Sequence, residues 1–114
     1  MENRRKHARY NVAVAAEVTQ AGDTLAGETR DVSAGGVSVM LNAVLTEGGK
    51  VELSLILTQD GIEDPDEEPF ETRASVMWCA GLEDGVAMSG LRFTDVTPAQ
   101  RQRLERFLAL IANN

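Results

Sequence analysis

The chain has 114 residues, 43% hydrophobic and 25% charged, with 18 acidic against 11 basic side chains and a net charge of −7. This is the size and composition of one globular domain able to bury its own core, so no metal or disulfide staple is required, and the single Cys79 has no partner for an internal bridge. The acidic balance argues against DNA or RNA as partners, since their binding rests on many phosphate contacts, and no apolar run nears the ~18 residues needed to cross a bilayer.

The cations are unevenly placed. Arg4, Arg5, Lys6 and Arg9 give residues 1–9 a charge of +3, while the remaining 105 residues carry −10. A short cationic arm on an acidic body suits a small anion better than a long one. With little apolar content, the arm over 1–9 is expected to be loose when empty. The opening "MENRRKHARYNVAVAAEV" has no apolar signal core. Together with the lone cysteine, this leads us to expect a soluble, cytoplasmic protein without membrane insertion.

After the arm the pattern is mostly period two. "YNVAVAAEVT" (10–19) sets Val12, Val14, Ala16 and Val18 on one face, as a half-buried strand does. "QAGD" (20–23) is a turn, and "TLAGETR" (24–30) a weaker strand with a bulge expected near Gly27. Strands are predicted at 36–41, 51–57, 70–80 and 86–93, with turns at 46–50 and 81–85. The fifth of these strands alternates Phe70, Thr72, Ala74, Val76 and Trp78. "TQDGIEDPDEEP" (58–69) has no periodicity and reads as a solvated acidic loop.

The end changes period. Thr97 as N-cap, Pro98 at the first helical position and Gln100 three residues after the cap form a capping-box signature. Leu104, Phe107, Leu108 and Ile111 then make one apolar stripe, so a helix is predicted over 97–112. Six or seven short strands followed by one helix imply a small antiparallel barrel or sandwich with the helix packed on it, in a single domain spanning 1–114.

Between two predicted strands lies "DVSAGG" (31–36). Asp and Ser at such a place favour turns closed by their own side chains, and the glycines allow positive φ or close backbone approach. Alone, the string also describes an ordinary tight turn. Paired with Arg5-x-x-x-Arg9, and followed by Trp78 in a later strand, "GLRF" (90–93) and a closing helix, the order resembles the PilZ domain, the bacterial receptor module for cyclic di-GMP.

The resemblance covers nearly the whole chain. It implies a six-stranded antiparallel β-barrel with one C-terminal α-helix, carrying the nucleotide on its outer surface beneath the arm. By position, Arg5 and Arg9 would grip guanine edges and phosphates, and Asp31 and Ser33 would bond the other guanine edge. Gly36 would let the backbone come close, and Arg4 could add a phosphate or stacking contact. The residue types suit these roles: a guanidinium fork bonds O6 and N7 of guanine, and a carboxylate accepts from its N1–H and N2–H₂.

The function expected from the resemblance is that of a stand-alone cyclic di-GMP adaptor. It would order its arm on binding and signal to an unidentified downstream protein that controls motility, pili or exopolysaccharide. The alternative is a module of the same fold that contacts proteins and binds no nucleotide. An enzyme is not expected: Ser33, His7 and Asp31 lack a strained nucleophile turn and an oxyanion hole. No metal or cofactor is implied either, since His7 is the only histidine and the acidic loop lacks the spacing of a calcium site. Met40, Met77 and Met88 are read as core filler, Cys79 as a small buried hydrophobe and Trp78 as structural. Arg30 and Arg92 are candidates for further ligand contacts.

Overall fold

The computed structural model describes residues 8–57 and 69–112. Within them the period-two segments form six strands: β1 (Ala15–Gln20), β2 (Asp23–Val32), β3 (Gly36–Leu41), β4 (Lys50–Leu55), β5 (Phe70–Gly81) and β6 (Ala87–Phe93). Helix α1 (Pro98–Ala112) follows. All the pairings are antiparallel, in the order β1-β2-β3-β6-β5-β4, and β4 returns to pair with β1, closing a barrel. Among the described strands closure leaves no unpaired edge, which would otherwise be open to pairing with another chain.

Alternation decides what lies inside. Val18, Val39, Leu55 and Phe70 are fully buried, as are Val37, Leu53, Val76 and Leu91 to within a few per cent. Phe70 meets Phe93 in a tilted pair with ring centroids 5.3 Å apart, within the range for favourable aromatic contact. Helix α1 packs on β5 and adds Leu104, Phe107 and Leu108, the stripe read from its spacing, to the core. The side chain of Arg103 fastens it further by donating to the Pro69 carbonyl at the start of β5 (3.2 Å).

Three local expectations are revised. The run 10–19 is one strand only from Ala15 onward. Before that, Tyr10 makes an isolated bridge to Val32, and residues 11–14 lie in no strand. The bulge expected at Gly27 falls instead between Thr29 and Asp31. Gly27 has a different reason: a Cβ there would lie 2.0 Å from the Met40 carbonyl oxygen of the neighbouring strand. Only half of the capping box forms. The Gln100 N–H donates to Thr97 Oγ1 (3.2 Å), but Gln100 Oε1 is buried without a partner.

The turn at 20–23 is as expected. Ala21 (φ 53°) and Gly22 (φ 86°) both take the left-handed conformation that a two-residue hairpin requires. The acidic stretch 58–68, together with Arg4, Arg5 and His7, lies outside the described residues.

Candidate functional site

The bulge in β2 and its end at Val32 bring "DVSAGG" to the barrel's outer surface, but not as a single loop. Asp31 and Val32 are still strand, paired with Ser38 and Val37, so the turn proper is Ser33–Gly35. Ser33 shapes it. Its N–H donates to the Gly36 carbonyl (2.9 Å), and its hydroxyl donates to the same oxygen (3.1 Å). That hydroxyl also accepts from the N–H groups of Gly35 (3.2 Å) and Gly36 (3.1 Å). A serine hydroxyl has one donor and two acceptor sites, and all three are engaged. The side chain is accordingly buried, at 7% exposure. This differs from a hydroxyl waiting to meet a guanine edge.

Gly36 also has a different basis. Neither Gly35 nor Gly36 has positive φ. A Cβ on Gly36 would lie 2.2 Å from the Leu91 carbonyl oxygen, so the close approach that demands glycine is that of β6. The Phe93 N–H donates to the Gly35 carbonyl (3.0 Å), which ties the turn to the far end of the same strand.

Beside this turn lies an open groove of about 880 Å³. Its floor is the outer face of β3, β6 and β5, and two transverse rows of residues define it. Asp31 pairs with Ser38, Ser38 with Gly90 and Gly90 with Trp78. Two residues along on the same face, Gly36 pairs with Arg92. Arg9 enters from the arm, and Asp95 and Arg101 from the β6–α1 junction and the first turns of α1. Three arginines against two aspartates give this groove a positive excess on a chain of net charge −7.

Trp78 departs from the alternation read for its strand. Simple alternation would turn it inward with Ala74 and Val76. A register shift between Val76 and Trp78 places it on the outer face instead. There its ring lies against Gly90: a Cβ on that glycine would come within 2.1 Å of the indole Nε1 and 2.7 Å of Cδ1. One face of the indole is thus packed on β6 while the side chain stays 38% exposed and lines the groove. An aromatic plane beside guanidinium groups is a surface on which a base can stack.

Met77, displaced by the same bulge, is half exposed rather than core, and Met40 and Met88 are half-buried on the outer face. Cys79 is half-buried and polar in its contacts. Its thiol donates to the Leu45 carbonyl (3.2 Å) and lies 3.3 Å from Ser89 Oγ.

Of the residues singled out from sequence, Arg9, Asp31, Ser33 and Gly36 converge on one groove. Arg92 joins them, Arg30 is exposed but not among the groove residues, and Arg4 and Arg5 are not described. Arg101 was missed altogether. The available signal was its place off the apolar stripe of α1, which says only that it faces outward. Among the described residues no group of three His, Cys, Asp or Glu side chains could hold a metal ion, and no helix is long and apolar enough to cross a membrane.

The family model of the PilZ domain matches residues 3–110. Among solved structures, the PilZ domain of Escherichia coli YcgR with c-di-GMP superposes with a TM-score of 0.76 at 19% identity, over 97% of this chain and 93% of that one. The Bacillus subtilis inhibitor of motility MotI/DgrA gives 0.77 at 17% identity over 99% of this chain, which spans about half (53%) of that protein. The PilZ domain of CeSA from a cellulose-synthesizing bacterium gives 0.61 at 22% identity, over 92% of this chain and 98% of that domain. Among curated proteins, none matches in sequence.

Proposed function

Starting from the premise that the chain belongs to the PilZ domain family, we propose that its groove binds cyclic di-GMP and that the bound form signals to a protein partner. The observation that carries this reading is the convergence of Arg9, Asp31 and the Ser33–Gly36 turn on one groove with an exposed indole face and two further arginines. A nucleotide with two guanines and two phosphates needs all three kinds of contact: forks for phosphate and guanine O6/N7, a carboxylate for guanine N1–H and N2–H₂, and a plane for stacking.

In this reading Asp31 selects guanine, Arg9 grips a guanine edge or a phosphate, and Trp78 carries a base. Arg92 and Arg101 meet the phosphates, while Ser33 and Gly36 hold the turn in shape. The motif's spacing assigns Arg5 a second guanidinium contact and Arg4 a further phosphate contact, with the arm over 1–9 becoming ordered on the ligand. A partner would then read the covered groove and the arm together. One structural neighbour is an inhibitor of motility, and another is a PilZ domain with c-di-GMP. Control of motility, pili or exopolysaccharide by a non-enzymatic cytoplasmic adaptor is the corresponding proposal for this chain.

The test is calorimetric titration of the folded protein with cyclic di-GMP. Saturable heat with cyclic di-GMP, and none with cyclic di-AMP, is the expected result. No heat at tens-of-micromolar ligand would leave the fold as a protein-contact module only.

A further inference from the structure

The stretch leading from Arg9 into the barrel is fastened to β2 at two places, one on each side of the bulge. Tyr10 exchanges both backbone hydrogen bonds with Val32, at 2.9 and 3.0 Å. On the other side, the Thr29 N–H donates to the Val14 carbonyl (3.0 Å). The Thr29 hydroxyl donates to the Val12 carbonyl (2.7 Å) and accepts from the Val14 N–H (3.0 Å). Residues 11–14 belong to no strand, so this side chain does for them what a ladder would otherwise do.

Thr29 is 3% exposed and is one of four buried polar side chains among the described residues. Packing alone does not call for a hydroxyl there, because valine has the same branching and nearly the same volume. The hydroxyl is accounted for by its two backbone partners, both on the segment that carries Arg9. Tyr10 faces Val32, and Val32 stands between Asp31 and Ser33. The path of residues 10–14 therefore decides whether Arg9 reaches the carboxylate and the turn.

We propose that Thr29 is a positioning residue for the nucleotide site, acting through Arg9. The inference rests on the cyclic di-GMP reading of the groove. Thr29→Val keeps the volume and removes both hydroxyl bonds. If the segment then holds its path in about a tenth of molecules, apparent affinity falls about tenfold, and Thr29→Ser restores it to within about twofold. In the nucleotide-free protein, amide exchange at Val14 should quicken in Thr29→Val and return in Thr29→Ser.

A merely structural role is separated by a cycle with Arg9→Ala. In that background Thr29→Val should have no further effect on affinity, because the residue being positioned is gone. A loss that persists undiminished there overturns the proposal, as does a Thr29→Val protein that binds like the parent. Should Thr29→Val fail to fold, Thr29→Ala removes the same two hydroxyl bonds without placing a methyl group against the Val12 carbonyl. It must then weaken binding in the parent and not in Arg9→Ala. A parent that takes up no nucleotide ends the reading of the groove and this inference with it. A parent that binds beside a Thr29→Val that binds equally well ends this inference alone.

Discussion

Gly90→Ala tests the groove's floor with one methyl group. Gly90 does not have positive φ, so the backbone accepts alanine without strain, and a strand interior favours alanine over glycine by up to ~1 kcal/mol. The obstacle is the indole. The new Cβ would lie 2.1 Å from Trp78 Nε1 and 2.5 Å from Cε2, so the ring must retreat by about 1.5 Å to reach ordinary contact. Lifting it exposes the face now packed on β6. If that is roughly 60–80 Å² of mostly apolar surface, the loss is about 1.5–2 kcal/mol, set against the backbone gain. A net destabilisation of about 1 kcal/mol is therefore expected, a shift of a few degrees in the melting midpoint.

Binding should suffer more than stability, because base–aromatic stacking is worth about 1–3 kcal/mol and the platform has moved. Affinity for cyclic di-GMP should fall at least fivefold. Trp78 is the sole tryptophan, so its fluorescence reports both effects directly. Emission in Gly90→Ala should shift to the red, and the change expected of the parent on nucleotide addition should shrink. An alanine variant with the parent's emission, melting point and affinity would refute both the packing of the ring on β6 and its part in the site.

Gly36→Ala meets backbone rather than a movable side chain, the Leu91 carbonyl oxygen at 2.2 Å. Parting β3 from β6 should cost about 2–4 kcal/mol in urea unfolding, and a variant as stable as the parent would contradict the geometry. Ser33→Ala leaves the Gly35 and Gly36 N–H groups without their acceptor. It should lower stability by about 1–2 kcal/mol and weaken binding through the turn's shape; weaker binding with full stability would point instead to direct contact by the hydroxyl. Arg9→Ala and Asp31→Ala, both on the groove's rim, should each weaken binding at least tenfold, about 1.4 kcal/mol, with an unchanged circular dichroism spectrum. Parent-like titrations of both would remove the groove from consideration. Raising salt should weaken the parent complex, and a salt-independent affinity would mean that the arginines contribute little charge attraction.

What the sequence determined by itself is the set of elements and the turn chemistry. Period-two alternation and a change to helical spacing after Thr97 are local signals, because side-chain direction follows from backbone type alone. The hairpin turn at Ala21–Gly22 and the stripe on α1 were legible for the same reason, whereas the link between the arginine arm and the Asp-Ser-Gly turn came only from the family resemblance. Only the tertiary structure decided which residues meet. The shift between Val76 and Trp78 turns the indole outward, and the shift after Thr29 aims Asp31 at the groove. Each bulge becomes visible only once the partner strand is in place. The reasons for Gly36 and Gly90 likewise sit on neighbouring strands, 55 and 12 residues away at Leu91 and Trp78. A groove floor is a row across strands, and hydrogen-bonded neighbours across a closed barrel are distant in the chain, so no window of sequence contains it.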